Sequence, residues 1–197
     1  MTGVDRELEL KLVAQLRAGE AGAFDAVYAE YNRRLFTFLA RLSSSRDVAE
    51  DLLEETWLRL IGQAHRLQPD TRLGPWLFTV ARNLYLSYRR SRALEDIHRS
   101  ETEARWPAVH FRSPFEATAA TELERHLEAA LAQLPFAYRE VLLLVGVEGL
   151  RPADAAVVCG VSPVALRQRL SRARALLAQR LEDARRPMAA IPREVTP

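Results

Sequence analysis

Cysteine occurs once in the 197 residues, at Cys159, and lysine once, at Lys11. A lone cysteine excludes an intramolecular disulfide framework and removes the thiolates on which most structural metal sites are built, so Cys159 is expected only to fill space beside a turn. The histidines His65, His98, His110 and His126 are scattered without ligand-like spacing. A phosphate-cradling glycine loop, a dinucleotide fingerprint, a nucleophile elbow and an H-E-x-x-H zinc helix are all missing. No catalytic constellation can be assembled, and neither an enzyme, a cofactor nor a small-molecule substrate is expected. No apolar run approaches the roughly 20 residues that span a bilayer, and the amino terminus, charged from Asp5 onward, has no signal-peptide core. The expected location is therefore cytoplasmic, without membrane insertion. Alternating strand patterns are almost absent as well.

What the chain does have is helical periodicity, from Arg6 to about Ala93 and again from about Thr121 to Arg186. This predicts an all-α protein of two small helical domains, residues 1–94 and 121–186. The stretch 95–120 loses the period, carries Pro107 and Pro114, and reads as a flexible linker. The tail 187–197, with three prolines, is expected to be disordered. A formal charge of only +2 means that any affinity for nucleic acid must come from local patches.

The densest patch lies between Gly149 and Arg174, which reads as helix, glycine turn, helix. Ser162 suits an N-cap, Pro163 suits the first helical position, and Gly160 suits the left-handed residue that closes the helix before. At 100° per residue Leu166, Leu170, Ala173 and Leu177 share one stripe, while Val164, Arg167, Gln168, Ser171 and Arg172 lie opposite. From Ser162 to Arg180 the helix carries Arg167, Arg169, Arg172, Arg174 and Arg180 and no acidic residue, so it lacks the i, i+4 partners of an ordinary solvated face. This points to nucleic-acid contact.

In the first domain, helices are expected from Glu7 to Arg17, from Ala23 to Leu42, after the 43–45 serine turn, and from near Pro75. The second contributes Phe24, Val27, Tyr28, Tyr31, Leu35, Phe38 and Leu42 as core candidates; the third contributes Ala49, Leu52, Leu53, Thr56 and Leu60. Opposite that stripe, Asp47, Glu50, Asp51 and Glu54 precede Trp57, Leu58 and Ile61. An acidic rim with apolar anchors suits a protein partner, although periodicity equally allows the apolar residues to pack on the first helix. The fourth helix is expected to bury Leu77, Val80, Ala81, Leu84 and Tyr88 and to leave Thr79, Arg82, Asn83, Leu86, Arg89 and Arg90 free. Trp76 and Tyr85 flank its buried stripe. Cations interleaved with aromatics suit unpaired nucleic acid, though rings in such a stripe can equally be core.

The strings Phe24 to Tyr31, Ala49 to Trp57, Trp76-Leu77 with Ala81-Arg82-Asn83, Leu131 to Leu134 with Pro135 and Arg139, Glu148-Gly149-Leu150, and Arg169 to Arg174, in this order and spacing, resemble the extracytoplasmic-function (ECF) group of the sigma-70 family. These are promoter-recognition subunits of bacterial RNA polymerase. The resemblance covers nearly the whole chain and implies a sigma region 2-like domain and a sigma region 4-like helix-turn-helix domain. It implies that Asp47, Glu50, Asp51, Glu54, Trp57, Leu58 and Ile61 dock on the β′ clamp helices of core polymerase, and that the second domain meets the β flap. It assigns the loop 67–74 with Trp76, Arg82, Asn83, Arg89 and Arg90 to opening and holding the -10 element. Arg167, Gln168, Ser171, Arg172 and Arg174 fall to the -35 element. Promoter DNA and core polymerase are the implied partners, and an anti-sigma factor is left open. A tether of about 25 residues averages near 30 Å. Promoter elements two duplex turns apart span about 70 Å, so the polymerase has to fix their spacing.

The chain departs from the family pattern at Glu54, Ser87, Arg151, Pro152, Ala155 and Val164-Ala165. Arg151-Pro152 removes an N-cap side chain, which predicts a first helix-turn-helix helix of about two turns started by proline. Val164 alters the start of the recognition helix and with it the -35 preference.

Overall fold

A computed structural model describes residues 6–100 and 122–185, except for the side chains of 95–100, 123, 184 and 185. The regular structure among those residues is all helical, without a strand. In the first half α1 (Arg6–Ala18), α2 (Ala23–Ser43), α3 (Arg46–Gln63) and α4 (Leu73–Ser100) form a bundle; a 3₁₀ turn (Ala64–Arg66) follows α3. In the second half come α5 (Glu122–Ala132), α6 (Phe136–Leu142) running into a π-helical turn (Leu143–Val147), α7 (Pro152–Cys159) and α8 (Pro163–Arg185). Of the stretch read as linker, only 95–100 is among the described residues, and it continues α4. The rest of the linker and the tail lie outside them.

Local chemistry accounts for the helix ends. Ser44 adopts φ 57° and returns its N–H to Ala40 O, closing α2, and Ser45 then caps α3 by accepting from Val48 N. Leu73 and Gly74 precede Pro75, so α4 starts two residues earlier than expected with proline still in its first turn, where no intrahelical donor is lost.

The core of the first half is Val27, Leu35, Phe38, Leu39 and Leu42 from α2, Ala49, Leu52, Thr56 and Leu60 from α3, and Leu73, Leu77, Phe78, Ala81 and Tyr85 from α4. Phe38 and Phe78 meet edge to face at 5.2 Å, a geometry that suits the ring quadrupole. The α4 stripe is therefore rotated from the expected one: Phe78 and Tyr85 are buried, while Val80, Leu84 and Tyr88 are only partly covered. That side faces α2, where Phe78 meets Phe38 and the Tyr85 hydroxyl reaches Leu42 O, and the Phe136 ring of α6 adds cover to Tyr85 at 5.8 Å.

The sequence left the relative placement of the halves open; here they are in contact, and buried apolar residues run continuously across the junction. α7 lies along α4, and α5 and α6 touch α2. Arg139 of α6 sits at the end of α2, donating to Leu42 O at 3.3 Å and Arg41 O at 3.4 Å, where aligned carbonyls favour a cation. Burial holds its guanidinium below the ordinary arginine value.

Candidate nucleic-acid interface

The helix-turn-helix is built by α7 and α8. Arg151 ahead of α7 offers no side-chain cap and Pro152 takes the first position, giving the expected two-turn helix of 8 residues. Gly160 closes it at φ 66°, and Ser162 Oγ accepts from Ala165 N at 3.1 Å to start α8. Leu166, Leu170 and Ala173 are buried, so rotation fixes the rest: Val164, Arg167, Gln168, Ser171, Arg172 and Arg174 are all exposed. Arg169 is turned the other way, onto Glu140 at 3.2 Å. Glu140 is only 1% exposed, and a charge so buried needs its partners.

The face of α4 expected to be free divides in two. Asn83, Ser87 and Arg90 are exposed on one side, with Trp76 half-buried nearby. Asn83 and Ser87 share a shallow groove of about 220 Å³ with Arg59, Gln63, Val80 and Leu84. Some 100° around the helix, Arg82 is not free: its side chain is 14% exposed and donates to Glu140 at 2.7 Å. Arg89 is exposed but stands over the Phe136 ring at 5.1 Å. Tyr85 is core, with its hydroxyl donating to Leu42 O at 2.7 Å, and burial raises its pKa. Charge and period put Arg82 on the free face and Tyr85 at the flank of the buried stripe; here Arg82 is paired with Glu140 and Tyr85 is buried. They carried no sign that a second domain would cover them.

On α3, Asp47, Glu50, Asp51 and Glu54 are exposed, as are Leu58 at 54% and Ile61 at 57%. Trp57 differs. It is 6% exposed, donates its ring N–H to Asn32 Oδ1 at 3.0 Å, and packs edge-on against Phe24 and at a tilt against Tyr28. Its neighbours thus belong to α2; of the two readings left open for this face, Trp57 takes an inward one and Leu58 and Ile61 an outward one.

Two sigma-70 families match this arrangement, region 2 over residues 27–95 and region 4 over residues 124–177. The ECF sigma factor EcfG of Rhodopseudomonas palustris is 39% identical over 73% of this chain and 76% of its own length. The sigma factor CarQ of Myxococcus xanthus is 35% identical over 80% and 88%. The chain belongs to the ECF group of the sigma-70 family. Among solved structures, the sigma factor RpoE of Bartonella quintana, bound there to the anti-sigma factor NepR, superposes with a TM-score of 0.68 at 30% identity, covering 81% of this chain and 96% of that one. The fold of CnrH is shared as well, with a TM-score of 0.66 at 24% identity over 90% of this chain and 98% of that one. As a sigma factor, the protein is a DNA-binding regulatory subunit for promoter-directed transcription initiation. No helix among the described residues is long and apolar enough to cross a membrane.

Several residues of this sigma factor that position the candidate surfaces carry no sequence signal of their own. Glu9 of α1 is buried and accepts from Leu73 N at 2.8 Å, capping α4 from 64 residues away. It also pairs with Arg6 at 2.7 Å, and Arg6 donates to Asp70 O at 2.7 Å, so α1 pins the loop that leads into α4. Helix-wheel counting would have placed Glu9 on the buried side between Leu12, Val13 and Leu16. Its partner could not have been named. Cys159 is buried beside Glu140, and its thiol is pushed up to about 12, chiefly by burial, so it stays protonated at neutral pH. That agrees with a space-filling role.

Proposed function

We propose that this sigma factor reads the -35 element with the outer face of α8 and holds the parted -10 strand with α4 and the loop before it, residues 67–72. Arg167, Gln168, Ser171 and Arg172 reach base edges in the major groove, and Arg174 adds a phosphate contact. An arginine bidentate to a guanine edge contributes about 1–3 kcal/mol of discrimination, while phosphate contacts add affinity that falls as salt rises. On the first domain, Trp76, Asn83, Arg89 and Arg90 accept the single strand, with Arg82 joining when it is released. The acidic α3 face of Asp47, Glu50, Asp51 and Glu54, with Leu58 and Ile61 as apolar anchors over the buried Trp57, docks on the β′ clamp helices, and the second domain meets the β flap. Like the RpoE relative, the chain is a target for an anti-sigma factor, and it works in the cytoplasm.

The observation that carries this reading is the orientation of α8, which turns Arg167, Arg172 and Arg174 to solvent while Leu166, Leu170 and Ala173 are buried. Transcription start mapping with core polymerase on genomic promoter fragments tests it. Promoter-specific initiation is expected, with sequence preference altered by Arg167→Ala and core affinity weakened by Glu54→Arg. Binding of duplex by the protein alone, with no initiation alongside core polymerase, would instead make it a stand-alone repressor.

A further inference from the structure

Among the described residues, the two halves are joined by ion pairs of one polarity. Arg34, Arg41, Arg72 and Arg82 of the first half face Glu148, Glu128, Asp154 and Glu140 of the second. In each of these four pairs the cation belongs to the half that carries the candidate single-strand site. Arg41 grips one Glu128 oxygen with two N–H groups, at 2.6 and 2.9 Å. Arg34 donates to the Glu148 carboxylate at 3.1 Å and to its backbone carbonyl at 2.9 Å.

The α6 edge adds a ring to the anion. Phe136 and Glu140 are four apart, one turn of helix, so both project from one face. The Phe136 ring lies 5.8 Å from Tyr85, 5.1 Å from the Arg89 guanidinium and 5.9 Å from that of Arg82, while the Glu140 carboxylate takes Arg82. An aromatic group held among cations and a second ring, with an anion one helical turn away, has the chemistry of an unstacked nucleotide: base on one side, phosphate on the other.

We propose that α6 and α7 act as an internal surrogate for single-stranded DNA, seated on Arg72, Arg82 and Arg89, so that closure of the two domains and capture of the parted strand exclude each other. This rests on the assignment of α4 and the loop before it to the -10 strand. The acidic face of α3 and Arg167, Arg172 and Arg174 of α8 are exposed while the domains are closed. Polymerase and duplex can therefore engage first, and opening follows.

The test uses the full-length protein without polymerase. Arg41→Glu, Glu128→Arg and the combined swap are compared at low salt by small-angle X-ray scattering and by anisotropy of a labelled single-stranded -10 oligonucleotide. Arg41 and Glu128 lie outside the candidate strand site. Each single change should enlarge the particle and tighten oligonucleotide binding by about tenfold or more, because the competent fraction rises, and the swap should restore both values. Saturating oligonucleotide should also enlarge the wild-type particle. Variants that open without binding more tightly, or wild type that binds fully while staying compact, would overturn the inference. If wild type with core polymerase initiates at promoters while either of those results holds, only the exclusion fails. If it does not initiate, the assignment of α4 fails first.

Discussion

Two sets of arginines that charge and period mark alike as nucleic-acid ligands stand in different surroundings. On α8, Arg167, Arg172 and Arg174 are exposed, with no acidic residue on the helix from Ser162 to Arg180. On α4, Arg82 is locked on a carboxylate of the other domain that is itself almost fully buried. The difference follows from what lies beyond each helix. α8 spends its apolar stripe on α5, α6 and α7 and has solvent behind it, whereas α4 is packed by α2 and α3 and covered again by α7. An unpaired cation outside its own module's core is thus ready only if no other module reaches it.

The largest effect should separate the two sets by stability. Glu140 serves Arg82 and Arg169 at once, so Glu140→Gln leaves two poorly hydrated cations short of a counter-charge. A loss of about 3 kcal/mol is expected, the low end for breaking a buried pair because both arginines keep some solvent. In thermal unfolding this is roughly 6–12 °C for a chain of this size. Arg167→Ala should cost no more than about 0.5 kcal/mol. Equal melting temperatures for the two variants would erase the contrast.

Function should rank them the other way. Arg167→Ala removes the proposed groove contact and should lower discrimination at one -35 position by about 1–3 kcal/mol, roughly five- to 150-fold, in competition with base-substituted promoters. A uniform loss across all sequences would make Arg167 a phosphate ligand. A smaller effect comes from the cap that aims this face: Ser162→Ala removes the acceptor for Ala165 N. It should cost about 1 kcal/mol in chemical denaturation. No loss there would mean that packing of Leu166 alone sets the start of α8.

How far these features were legible in sequence follows the same division. Ser162, Pro163 and Gly160 are local signals, and they placed the turn, the start of α8 and its rotation, because capping chemistry and the 3.6-residue period act within one helix. Trp57, Tyr85 and Arg82 needed partners 25 to 58 residues away, Asn32, Leu42 and Glu140. No periodicity encodes such pairings. A tryptophan beside two exposed apolar residues has the same wheel position whether it anchors a partner or turns toward α2. Family resemblance supplied roles for these residues, yet the carboxylates that meet the first domain's arginines belong to α5, α6, α7 and the segment after the π turn, and nothing in their spacing names a partner in the other domain.

The smallest effect concerns pH and acts only on the covered set. Burial raises the Glu148 pKa above the ordinary carboxylate value, against the opposing pull of Arg34, which is hydrogen-bonded to it, and of Arg41. Separation of the domains would return the carboxyl to water and to its usual value, so the closed form binds the proton more tightly than the open one. By linkage, the contribution of Glu148 to closure is fully present below the open-state value and is lost as pH rises through the higher closed-state value. Glu148→Gln stays uncharged at every pH and can still accept from Arg34. The ratio of closed to open protein, followed by scattering, should therefore differ little between wild type and Glu148→Gln at pH 4 and favour closure in the variant near pH 7. The comparison between the two proteins cancels the titration of the remaining carboxylates. A difference that is flat with pH, or one in which wild type closes more firmly at neutral pH, would show that the Arg34 ion pair outweighs the burial and that charge attraction alone holds the covered arginines in place.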